Sequence, residues 1–242
     1  MDKLIPVIIW NGENAVLLGK TLMSVDYFPT VYLYTSKEYG DLHKILTGNF
    51  LKNTDLQVFT TKKYNPRKMK NRAIQDIIQD HPGSYLMFLE AGDTVLGSPD
   101  ITDELIGDDP VFYCDDVNEF GPLWKITEDS LPSTTFGIIL NPKFLVDNKL
   151  EFTRNSDIEF LISLYRVLPE HIYTVGMDLE SGRERDYIGE IRELLRVIEE
   201  NTDDPMYYEL RHTLTHVILD GISAGTAGIE AYFAYAYPEK SI

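Results

Sequence analysis

The sequence predicts an α/β fold: a mostly parallel central sheet flanked by helices, with a helical extension at the C-terminal end. Three observations predict it. Short apolar runs alternate with segments of helical spacing from Leu4 to Leu89. Asn65-Pro66 opens one helical segment, and Phe28-Pro29 and His81-Pro82-Gly83 end two of them. From Glu184 onward the chain reads as helices, with a break at Thr202-Asp203-Asp204-Pro205. Residues 1–180 are expected to form one domain, and 181–242 a helical extension packed on it.

The elements follow in order. Leu4–Trp10 (LIPVIIW) is a continuous apolar run and reads as a strand buried on both faces. Asn11-Gly12-Glu13-Asn14 is a turn, and Ala15–Val25 a helix ended by Phe28-Pro29. Val31–Tyr34 and Leu56–Thr60 are the next two strands. Asn65-Pro66 opens a helix, with Asn as cap and Pro at the first helical position. Ala73, Ile74, Ile77 and Ile78 form its apolar face, and His81-Pro82-Gly83 ends it. Tyr85–Leu89 is the fourth strand, followed by a loop over Glu90–Leu96.

Further along, Val111–Cys114, Phe136–Leu140 and Ile172–Val175 read as strands and Asp157–Arg166 as a helix. Glu184 to Gly221 reads as two helices split by Thr202-Asp203-Asp204-Pro205, and Ala224–Tyr237 as one more. In open parallel sheets ligands sit outside the carboxyl ends of the strands. The loops after Trp10, Tyr34, Thr60 and Leu89 are therefore where a site is expected.

Composition narrows the partners. The chain carries 39 acidic and 22 basic residues, a net charge of −17, which repels nucleic acid and anionic lipid at long range. A single cysteine, Cys114, excludes an internal disulfide and a multi-cysteine zinc site. Neither a signal peptide nor a run of membrane-spanning length is visible. A cytoplasmic protein, free or peripheral to a membrane complex, is the expectation.

Against that acidic background, Lys62, Lys63, Arg67, Lys68, Lys70 and Arg72 crowd into eleven residues at a helix start. Helix N-termini favour anions. Lys70 and Asn71 are the positions named for phosphate contact. A plain solvated patch is the bland account. The loop Glu90-Ala91-Gly92-Asp93 places two carboxylates three residues apart, a spacing that can address one Mg²⁺ or Mn²⁺ ion. An ordinary surface turn is its bland account. Asp115-Asp116 is a rival pair.

Weaker signals are His212 with His216 on one helix face, His171 at a strand start, and the aromatic run Tyr232, Phe233, Tyr235, Tyr237. The His pair and the aromatic run are more simply explained by surface position or packing, while His171 is placed to approach a metal from the second half of the chain.

Four stretches together resemble the family 2 glycosyltransferases, whose nucleotide-binding fold is called GT-A. They are Ile5–Leu22, Lys70–Ile74, Tyr85–Leu96 with Ser98-Pro99-Asp100, and Asn155–Leu161; the likeness spans roughly residues 4–170. The resemblance implies a nucleotide-sugar site built from Asn11, Thr35, Lys70, Asn71, Glu90 and Asp93. It implies Asp93 and Glu90 as ligands of Mn²⁺ or Mg²⁺, and Asp157 as the base on an acceptor hydroxyl. Lys70, Asp93 and Asp157 are then expected to converge on one cleft. The chain departs from the family's pattern in having Gly92 for the middle acid of the metal motif, Ser156 before Asp157, and Thr35-Ser36-Lys37 after the second strand.

Three functions stay open. The first is inverting, divalent-metal-assisted sugar transfer from a nucleotide-diphosphate donor to an acceptor of unknown kind, whether glycan, lipid-linked glycan or protein. The second is a catalytically impaired relative that binds a nucleotide or acts as an assembly partner. The third is a nucleotidyltransferase, disfavoured because Asn11-Gly12-Glu13-Asn14 is not a Gly- and Arg-containing phosphate loop. A dehydrogenase is weaker still, since no Gly-x-Gly-x-x-Gly follows a predicted strand.

Overall fold

The computed structural model describes residues 4–39, 51–96, 109–118, 135–154, 157–168, 173–182, 187–200, 211, 214–219 and 221. Its strands are β1 (Leu4–Ile9), β2 (Thr30–Ser36), β3 (Asp55–Thr61), β4 (Tyr85–Glu90), β5 (Thr94–Leu96), β6 (Val111–Asn118), β7 (Ile138–Leu140) and β8 (Tyr173–Glu180). Its helices are α1 (Ala15–Ser24), α2 (Pro66–Asp80), α3 (Pro142–Asp147), α4 (Ile158–Tyr165) and α5 (Tyr187–Glu200).

One mixed, mostly parallel sheet runs in the order β3-β2-β1-β4-β7-β6-β8-β5. The β3-β2-β1-β4 half is wholly parallel; β7 then runs antiparallel to both β4 and β6. β1 is buried at every position, as its unbroken apolar run predicts for a central strand covered on both faces.

The Asn65 cap acts as the sequence predicts: its side chain accepts from Lys68 N ahead of Pro66. Asn14, read from the sequence only as part of a turn, also caps α1 by accepting from Leu17 N. The same Asn-Pro signature at Asn141-Pro142 opens α3, a short helix the sequence reading passed over. Strand β5 falls where a loop was expected. It has three residues, and its partner β8 lies some 85 positions away, so no local period announces it.

Two apolar layers sandwich the sheet. Ile8, Trp10, Leu33, Met87 and Leu89 pack on the α1 side with Leu18 and Leu22. Ile5, Val7, Ile9, Leu86 and Phe88 pack on the α2 side with Met69, Ala73 and Ile77. The period of two along each strand sends alternate residues to opposite layers. A third cluster joins Ile158 and Ile162 of α4 to Ile191, Leu194 and Ile198 of α5, and to Leu214 and Val217. α5 thus packs on α4. No described helix is long and apolar enough to cross a membrane.

His171, His212, Ser98-Pro99-Asp100, Asn155-Ser156, the Thr202–Pro205 break and the Ala224–Tyr237 segment with its aromatics lie outside the described residues, as do the side chains of Asp115 and Asp116.

Candidate functional site

The chain leaves β1 toward β2 and β3 on one side, then returns through α2 to place β4 on the other side of β1. Such a reversal opens a crevice at the carboxyl ends of the two central strands. A cleft of about 520 Å³ lies there. Its walls come from the end of β1 (Ile9, Trp10, Asn11), the start of α1 (Glu13, Asn14, Leu17), the end of β4 (Glu90, Ala91), and Tyr64 and Gly182.

The turn after β1 shapes one wall. Asn11 Oδ1 accepts from Glu13 N, while Asn11 Nδ2 donates to Glu13 Oε2. The Trp10 indole N–H donates to Glu13 O at 2.7 Å, so a fully buried aromatic keeps its polar atom satisfied. Gly12 has φ +91° and lies under the Tyr39 ring, which leaves no space for a Cβ. Tyr39 in turn sits 5.6 Å from the Trp10 ring.

The floor is a closed loop. Asp93 is fully buried. Its Oδ2 accepts from Glu90 N at 2.8 Å, and its Oδ1 from Ser181 Oγ at 3.0 Å. Gly92 N donates to Thr21 Oγ1, and Gly182 N to Gly92 O. These bonds hold the turn between β4 and β5 against α1 and the end of β8. They leave Glu90, which is only partly buried, on the cleft wall.

A second cluster forms beneath α2. Lys70 Nζ donates to Asp157 Oδ1 at 2.6 Å and to Thr135 Oγ1 at 3.3 Å. Thr135 N and Oγ1 both donate to Asp157 Oδ2, at 2.8 and 2.7 Å. The ammonium also lies 5.3 and 5.0 Å from the ring centres of Phe88 and Phe152, within cation–π range. Burial alone would raise the Asp157 pKa. The Lys70 charge and the hydrogen bonds from Lys70 and Thr135 outweigh it and hold the carboxyl below its ordinary value.

The structure therefore brings Lys70 and Asp157 together but separates them from Asp93. Lys70 sits against Phe88 in the α2 layer, whereas the Asp93 loop is tied to Thr21 of α1 in the other layer. The expected three-way meeting in one cleft does not occur. Of the other named residues, Asn11 and Glu90 line the cleft. Asn71 uses both ends of its amide on the backbone of Phe152, tying α2 to the chain before α4. Thr35 is fully buried, and its hydroxyl has no partner among the described residues.

Sequence reasoning missed Tyr64, Glu13, Thr135 and Ser181. Tyr64 and Glu13 flank the loops it singled out, so proximity to a strand's carboxyl end was the usable signal. Thr135 and Ser181 reach their carboxylates across 22 and 88 positions, and no local pattern marks them.

No group of three or more His, Cys, Asp or Glu able to hold a metal occurs among the described residues. Both oxygens of Asp93 are engaged within the fold, so of the expected pair only Glu90 faces the cleft.

No family model matches the sequence, and no curated protein matches it. Among solved structures, the chain aligns with 4-diphosphocytidyl-2C-methyl-D-erythritol synthase from Anaerococcus prevotii at a TM-score of 0.42 and 10% identity, covering 73% of this chain and 88% of that one. It aligns with mouse xyloside xylosyltransferase 1 at a TM-score of 0.45 and 10% identity, covering 71% and 85%. Likeness at this level assigns neither family nor chemistry.

Proposed function

We propose that this protein binds a nucleotide-diphosphate sugar in the cleft over β1 and β4, and that its architecture is GT-A-like. The carrying observation is the position of that cleft at the point where the order of the parallel strands reverses. Its size is in the range that small ligands occupy. Exposed Lys62 and Lys63 adjoin Tyr64 at its edge, and they are available to meet a diphosphate in an otherwise acidic chain. Calorimetric titration with UDP, GDP and CMP, with and without Mn²⁺, tests the reading. Absence of binding to all of them removes it.

The finer reading is inverting transfer of the sugar to an acceptor hydroxyl, with Asp157 removing the acceptor proton. It predicts turnover with some member of a sugar-nucleotide panel, and loss of that turnover in Asp157→Ala. Full turnover in that variant removes Asp157 from the role.

A second reading, binding without turnover, is favoured by one specific feature. Asp157 already accepts three hydrogen bonds inside the fold, the one from Lys70 being also an ion pair, and its lowered pKa makes it a weak proton acceptor. Nucleotide binding with no turnover across the panel selects this second reading.

A further inference from the structure

The first turn of α4 is held from two sides. Asp157, immediately before it, meets Lys70 in the α2 layer, while Glu159 meets α5. Glu159 Oε1 accepts from Arg196 Nη2 at 3.0 Å and pairs with Arg154 Nε at 3.2 Å. Its Oε2 accepts from Thr153 Oγ1 at 3.2 Å. Arg196 is braced within its own helix: Nε donates to Glu193 at 3.0 Å, and Nη1 to Glu200 at 2.6 Å. Arg154 also reaches Glu200, at 3.6 Å. Carboxylates one turn before and one turn after Arg196 thus fix its guanidinium before it crosses to α4. That reduces the side-chain entropy lost in the crossing, a cost that leaves most isolated surface pairs worth little.

The apolar contacts divide along the same line. Phe160, Leu161 and Leu164 of α4 belong to a layer over the sheet. Ile158 and Ile162 instead meet Ile191, Leu194 and Ile198 of α5 in a separate cluster. α5 can leave that cluster without opening either layer of the sheet, and proteins commonly open in such contiguous units. We propose that α5 is a latched element: it opens from α4 as a unit of its own, and the crossing from Arg196 to Glu159 sets how often it does so. The latch is independent of what the cleft binds.

Hydrogen–deuterium exchange on the full chain reads the latch. In ~0.1 M NaCl, Glu159→Gln should speed amide exchange in α5 by about three- to tenfold, the scale of a few partly exposed ion pairs, and leave β1 and β4 unchanged. The difference from wild type should narrow in ~1 M NaCl, where the screening length falls from about 10 Å to about 3 Å. Arg196→Gln should reproduce the effect. Glu159→Asp, which shortens the same crossing, serves if Glu159→Gln does not fold. Arg192→Gln makes the same charge change as Arg196→Gln at an exposed position of the same helix, and it should do little. Faster exchange in Arg196→Gln but not in the Glu159 variant would mean that the pairs only stiffen α5, and the latch would be overturned. Unchanged exchange in both, a difference that salt leaves unmoved, an equal response to Arg192→Gln, or exchange in α5 and β1 rising together would overturn it as well.

Discussion

Lys70 and Asp157 lie 87 positions apart, and their side chains meet at 2.6 Å in the apolar layer beneath α2. Both are nearly inaccessible to water, at 5% and 8% exposure. The pair and Thr135 pin three separate parts of the chain: α2, the approach to β7, and the start of α4.

Breaking that pair should be costly. Asp157→Ala strands a buried ammonium, and a loss of about 3–5 kcal/mol in unfolding free energy is expected from urea titration. The double replacement K70M/D157L removes both charges together and should recover most of the loss. If Asp157→Ala unfolds at the wild-type urea concentration, the pair is not the pin described here.

The same pair should shape the acid limb of stability. The Asp157 carboxyl is held below its ordinary value of 3.8. The folded state therefore binds fewer protons than the unfolded state as pH falls below that value. The stabilisation is fully present above about pH 4–5 and is lost as pH drops through the lower folded-state pKa. Asp157→Asn should be less stable than wild type at neutral pH, with a shallower fall in stability below about pH 4. Parallel acid slopes for the two proteins would contradict this.

Asp93 is expected to act through the fold. Asp93→Ala leaves Glu90 N and the Ser181 hydroxyl without their acceptor in a buried place, which should cost about 1–3 kcal/mol. Because both carboxylate oxygens face protein donors, that loss should be the same in EDTA and in millimolar Mn²⁺. A melting temperature that Mn²⁺ raises in wild type but not in the variant would show that Asp93 reaches a metal.

The backbone crossing under the cleft is a point of close approach that only glycine permits. A Cβ at Gly182 would stand 2.5 Å from Gly92 O, closer than side-chain carbons approach backbone oxygen. Gly182→Ala should destabilise by about 1–3 kcal/mol and weaken ligand binding at the cleft floor. Gly83→Ala, where the surroundings are open but φ is +87°, isolates the backbone cost and should leave binding unchanged.

Much of the fold was legible because its signals are local. The apolar run of β1, the Asn-Pro start of α2 and the alternation through β4 each sit within a few residues, and the structure reproduces them. β5 was illegible, since three residues become a strand only through pairing with distant β8. The likeness singled out Lys70, Glu90, Asp93 and Asp157; of these four Glu90 alone lines the cleft, and what the side chains hold was not legible in it.

By itself, the sequence determined the α/β alternation, the capped start of α2 and the acidic balance, and it pointed to the loops after β1 and β4, whose residues line the cleft. Only the tertiary structure decided which carboxylates face solvent. Asp93 and Glu90 are three residues apart in one turn, yet one is consumed by Ser181 and a backbone amide while the other lines a cleft. Where a carboxylate is held depends on which donors reach it, and for Asp93 the Ser181 donor arrives from a part of the chain that no local pattern connects.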